Sequence, residues 1–126
     1  MTGDEVASGL VRRYVEGWKA GDSAAILSTL SADCVIIESH GPTYRGKEQI
    51  KRWARSWFAE GNTIDDWDIT SLLVSGEVCA FEWVFSFTVG GVRNSFEGAS
   101  WARVGGSGIT SLREYRMTEP RYEWTG

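Results

Sequence analysis

The chain has 126 residues, with 13 Lys and Arg against 17 Asp and Glu, and a net charge of -4. That length predicts one domain spanning residues 1–126, long enough to bury a real core. The acidic balance and scattered basic residues argue against a nucleic-acid partner. No apolar run approaches the roughly 20 residues of a membrane span, and no apolar segment of the signal-peptide kind follows Met1–Asp4. Seven Trp, four Tyr and five Phe are more aromatic surface than a core of this size needs, and the surplus suggests a pocket wall or an oligomer interface.

Leu10, Val11, Tyr14, Val15 and Trp18 recur at helical spacing and predict an amphipathic helix over residues 4–20, ended by Gly21. Asp22 or Ser23 can cap a short second helix, about Ser23–Leu30, with Ile26, Leu27 and Leu30 inward. Cys34–Glu38 reads as a strand, broken at Ser39–Pro42. In Lys47–Ala59 the residues Ile50, Trp53, Ala54, Trp57 and Phe58 line one face of a third helix, which Gly61 and Asn62 stop. Its Lys47, Lys51, Arg52 and Arg55 read as the solvated side.

Everything beyond is sheet. Strands are expected over Thr63–Ser75, Val78–Val89, Val92–Val104 and Ile109–Met117, with turns at Gly76-Glu77, Gly90-Gly91 and the GGSG run. Long strands with internal Gly curve. Helices followed by strands predict an α+β fold whose curved antiparallel sheet forms a cone wrapped by three N-terminal helices, with a small-molecule site at its mouth. Val78–Val89 is apolar on both faces, with Cys79, Phe81, Trp83, Phe85 and Phe87 on one and Val78, Ala80 and Val84 on the other. A sheet covered on one side only would alternate with polar residues; a homodimer through the convex face is therefore expected. Cys34 and Cys79, each inside an apolar run, read as buried free thiols in a reducing cytoplasm, with a disulfide as the alternative.

The segment RYVEGWKAGDSAAILSTLSADCVIIES resembles the opening of nuclear transport factor 2-like proteins, the ketosteroid isomerases among them. HGPTYRGKEQIKRW is similar to the SnoaL-like version, and ITSLREYRM to the last strand of that family. The resemblance runs from Ser8 to Met117 and implies the nuclear transport factor 2-like, or cystatin-like, α+β barrel. It places Tyr14 where the isomerases have a phenolic donor and Glu38 where they have the general base. Their protonated Asp falls at Ala99 or Ser100, so one of two oxyanion donors is missing. The Asp of SnoaL-type cyclases and limonene epoxide hydrolase falls at Glu114. The hydrolase's Arg and Asp partners fall near Trp83 and Phe85, which argues against epoxide hydrolysis.

Physical reading bears on the same positions. A carboxylate at Glu38 that points into an apolar cone holds its proton toward neutral pH and suits proton abstraction next to a carbonyl; in water, or paired with Arg45, it does nothing of the kind. Alternation puts Glu114 on the face of Leu112 and opposite Arg113, with Arg116 as the cation able to neutralise it. Glu82 reads as a cross-strand partner of Arg103 or Arg113, or as a third pocket carboxylate. His40, the single His, is a turn residue or a proton shuttle at the mouth. Trp18, Tyr44, Trp53, Trp57 and Trp101, with His40, are the candidate substrate-binding residues, and Glu38, Glu114 and Tyr14 the candidate catalytic ones. No metal-ligand spacing, phosphate loop, dinucleotide fingerprint or nucleophile elbow is present, so no metal or cofactor is expected.

Two functions follow from this reading. One is an acid–base enzyme, an isomerase, cyclase or dehydratase acting on an apolar carbonyl compound of polyketide or steroid type. The other is a non-catalytic ligand-binding or dimeric interaction module. They differ in whether Glu38 or Glu114 lies inside the cavity.

Overall fold

The computed structural model describes residues 2–126. Helix α1 covers Gly3–Lys19, α2 Ser23–Ser28 and α3 Lys47–Ala59. The strands are β1 Leu30–Ile37, β2 Thr43–Arg45, β3 Thr63–Ser75, β4 Val78–Val89, β5 Val92–Gly105 and β6 Gly108–Arg116.

The helices form where periodicity and caps agree. Thr2 accepts a hydrogen bond from the Glu5 amide at the start of α1, and Asp4 and Glu5 in its first turn complement the helix dipole. The α1 stripe Ala7, Leu10, Val11, Tyr14, Val15, Gly17 and Trp18 is buried. Gly17 lets α2 approach closely, because a Cβ there would lie 2.9 Å from the Ile26 nitrogen. Asp22 caps α2 by accepting from the Ala25 amide at 3.0 Å. Helix α3 has no side-chain cap at Gly46. Instead the Gln49 side chain accepts from the Arg45 amide at 2.6 Å.

The six strands run in the order β2-β1-β6-β5-β4-β3 and leave the sheet open. Every pair is antiparallel except β1 and β6, which run parallel, so the sheet is mixed where an antiparallel one was expected. The crossover from β1 to β6 passes through the whole of α3 and the β3–β5 meander, a non-local pairing that no local pattern announces. Register shifts in β3 between Ile64 and Asp66 and between Ile69 and Ser71 bend the sheet. Three other details depart from the sequence reading. Leu30 belongs to β1 rather than α2, Thr43–Arg45 adds a short edge strand against Val35–Ile37, and β6 ends at Arg116.

The concave face packs on α1 and, at the β1–β2 end, on α3. Its core runs through Leu10, Val11, Val15, Ile26, Cys34, Ile36, Ile50, Cys79, Phe81, Ala102, Ile109 and Leu112. Both cysteines are buried and free. Among the described residues no helix is long and apolar enough to cross a membrane. Residues beyond Arg116 have no regular structure; Arg121 ties them back to Glu97 at 2.7 Å.

Candidate active site

Between α1, α3 and the concave sheet lies an open cavity of about 650 Å³, within the range of small-molecule sites. Its lining brings together Tyr14 and Trp18 from α1, Trp53 and Trp57 from α3, Tyr44 from β2, and Glu38, Ser39 and His40 at the end of β1. Glu114 and Arg116 enter from β6. Eight of the nine residues nominated from the sequence therefore share one cavity. Trp101 does not. It pairs with Ala80 and Arg113 on the convex face and is 48% exposed. Its neighbour Ser100 is the inward residue, because the Trp83 indole N–H donates to its hydroxyl at 2.9 Å. Of the two positions where the resemblance puts the isomerases' second donor, Ser100 faces the interior and Ala99 pairs with Tyr115 on the outer side.

Alternation in β6 places Leu112, Glu114 and Arg116 inward and sends Arg113 out to lie over the Tyr115 ring at 5.1 Å. In the parallel pairing Ile36 is level with Leu112 and Ile37 with Arg113, so Glu38 follows beside Glu114. Two carboxyls thus sit on neighbouring strands against aromatic walls. Desolvation raises Glu114 from 4.5 to about 8, and the nearby Glu38 adds to the shift. Desolvation also raises Glu38, to about 7, against the opposing effect of the Tyr44 hydroxyl, which donates to it at 3.5 Å. Between about 7 and about 8 the pair holds roughly one proton.

The cations foreseen as partners are elsewhere. Arg45 is exposed and lies on the opposite face of the β1–β2 ribbon, paired with Val35. Arg116 turns its guanidinium onto the Phe96 ring, 4.5 Å from the centroid, and leaves Glu114 unpaired. Glu82 is exposed on the convex face opposite Ala99 and Ser71. Among the described residues it makes no ion pair with Arg103 or Arg113. His40 stands at the mouth with its side chain 65% exposed, its Nε2 3.2 Å from a Glu38 oxygen.

Tyr14 completes the inner end. Burial, with Glu114 second, raises its phenol well above 10, so it keeps its proton and can donate. The indole N–H groups of Trp18 and Trp67 are buried without an acceptor. Trp18 packs on Trp53, Trp57 and Phe58, and Tyr44 stacks on Trp53 at 4.0 Å. The opposite wall is Ile64, Trp67, Trp83, Phe85, Phe87 and Phe96. Of these, Trp83, Phe85 and Phe87 were named in the sequence as one face of the β4 run. Trp67 was not, because the bulge after Ile64 breaks simple alternation. Ile64 and Trp67, three apart, face the same side only through that bulge. The Trp83 ring reaches over Gly98, where a Cβ would meet Trp83 Cη2 at 2.6 Å and also the Tyr115 carbonyl. Glycine thus sets the floor of the cavity.

A family model for the SnoaL-like domain matches residues 11–112. No curated protein sequence matches the chain. Solved structures that share the fold include an epoxide hydrolase of M. tuberculosis resembling limonene epoxide hydrolase. It is 18% identical, with a TM-score of 0.80 over 90% of this chain and 84% of that one. A candidate polyketide cyclase of Xanthomonas campestris is 21% identical, with a TM-score of 0.74 over 90% and 92%. A protein of Catenulispora acidiphila with a ketosteroid isomerase-like fold, solved with trimethylamine, is 24% identical, with a TM-score of 0.73 over 84% and 83%. At these identities the likeness establishes the fold alone.

Proposed function

The chain belongs to the SnoaL-like domain family of the nuclear transport factor 2-like superfamily, and from that premise we propose that it is an acid–base enzyme acting on a small, largely apolar carbonyl compound. The reaction class is isomerisation, cyclisation or dehydration of a polyketide-like or steroid-like substrate. One observation carries the reading: Glu38 and Glu114 stand side by side in one aromatic cavity, at about 7 and about 8. Near neutrality Glu38, whose charged form the Tyr44 hydroxyl favours, takes a proton from carbon beside the carbonyl. Glu114, still protonated, and Tyr14 donate to the developing oxyanion. Glu38 then returns the proton to a different atom, and His40 at the mouth connects it to solvent.

The experiment needs no natural substrate. 5-Nitrobenzisoxazole opens when a base removes its ring C–H proton; the N–O bond breaks, its electrons go to oxygen, and a coloured cyanophenolate forms. Acceleration above the free-carboxylate background is expected, rising with pH as Glu38 ionises. Glu38→Gln should lower the rate about 100-fold. Equal rates for the wild type and the Glu38→Gln/Glu114→Gln double variant would leave the cavity a ligand-binding module without catalysis.

The convex face supports a homodimer. Leu73, Trp101, Tyr115 and Met117 are exposed there or at its edge, next to half-buried Val78, Ala80 and Val84. A patch of that kind on a monomer is unusual. We place a second copy of the chain on it; sedimentation at micromolar concentration returning a monomer would remove this assembly. Two unpaired buried thiols fit a reducing compartment such as the cytoplasm.

A further inference from the structure

The polar groups of the cavity are arranged for oxygen. At the inner end stands the Tyr14 phenol, which keeps its proton and can donate; the indole nitrogens of Trp18 and Trp67 beside it are covered by protein atoms. Tyr14 lies between them, its ring edge-on to Trp67 at 6.2 Å and its place on α1 one turn before Trp18. A ligand that completes this end brings an acceptor.

The outer end asks for an anion. Arg116 lies two positions beyond Glu114 on the same strand face, roughly 7 Å further out. Its guanidinium is held over Phe96, and among the described residues it forms no ion pair. Glu97, on the neighbouring strand, is occupied by Arg121 at 2.7 and 2.8 Å. Glu114 is nearer along the strand, but its carboxyl favours the neutral form and makes no ion pair with Arg116. Between the two ends run the rings of Trp67, Trp83, Phe85 and Phe96, a surface suited to a flat apolar body.

We propose that the ligand is an aromatic or conjugated acid, its carboxylate paired with Arg116 at the lip and an oxygen at its other end accepting from Tyr14. Arg116 is then the residue that selects the substrate. This rests on the cavity being a ligand site, as proposed above, and adds the charge that site prefers. A guanidinium held on a ring presents its N–H fork to a carboxylate with little further ordering.

Calorimetric titration with three matched probes tests it: 2-naphthoate, neutral 2-naphthamide and the 2-naphthylmethylammonium ion. The wild type is expected to bind the acid about tenfold more tightly than the amide. Arg116→Gln should erase that difference and leave the amide unchanged; the position is exposed, so the variant folds. Tightest binding of the ammonium ion would overturn the proposal in favour of an aromatic cage closed by the two carboxylates. So would an acid preference that survives Arg116→Gln. If the amide binds and the acid gains nothing, this proposal fails while the ligand-site reading stands. If none of the three binds, the ligand-site reading fails and the inference goes with it.

Discussion

Trp83 and Trp101 lie on adjacent strands of one sheet and meet opposite conditions. Trp83, on the concave face, is 3% exposed, packs against Gly98 and gives its N–H to Ser100. Trp101, on the convex face, is 48% exposed beside Ala80 and Arg113. The same division separates Glu114, desolvated and raised to about 8, from Glu82, which stands in solvent. It also separates Arg116, at the cavity lip over Phe96, from Arg113, outside over Tyr115. Residue type does not decide which member of each pair enters the cavity. The pleat assigns alternate residues to opposite faces, and the register with neighbouring strands decides which face the helices cover.

The largest test of this contrast is Trp83→Ala. Removing a buried indole from the floor should cost roughly 3–5 kcal/mol of stability by chemical denaturation. A second variant, Gly98→Ala, probes the same floor from below. The added Cβ meets both the Trp83 ring and the Tyr115 carbonyl, one side chain and one fixed backbone atom. A loss of about 1–3 kcal/mol is expected, together with a smaller cavity as the ring is pushed upward, which a crystal structure would reveal.

A third test uses pH. Both carboxyls are raised in the folded state, from 4.5 to about 7 and about 8, so between these values the folded chain binds more protons than the unfolded one. Their contribution is fully present below about 4.5 and is lost as pH climbs through about 7 and about 8. The loss should be on the order of 2 kcal/mol, discounted for the solvent that reaches the open cavity. Urea midpoints across that range should fall for the wild type and stay flatter for Glu114→Gln. A parallel fall in both would mean that Glu114 is solvated as Glu82 is. The smallest effect belongs to the convex face: Trp101→Ala should change monomer stability by less than about 1 kcal/mol, yet shift sedimentation toward monomer. A loss as large as that of Trp83→Ala would erase the distinction between the faces.

What the sequence determined by itself is the local structure and the inward set of the last strand. Helix α3 occupies Lys47–Ala59, and β3 and β4 occupy Thr63–Ser75 and Val78–Val89, as their patterns predict. Apolar period, Gly turns and caps act over a few residues, so a short window contains all the information. Parity with Leu112 likewise put Glu114 inside. The tertiary structure decided the rest. The three-residue strand β2 has too few residues for a pattern and exists because β1 offers it an edge. The parallel β1–β6 pairing, which sets Glu38 beside Glu114, joins segments some 80 residues apart and has no local signature. Bulges in β3 brought Trp67 in against simple alternation. At positions 101 and 100 the register with β4 and β6 turned the Trp out and the Ser in, where the Ser hydroxyl accepts from the buried Trp83 indole N–H.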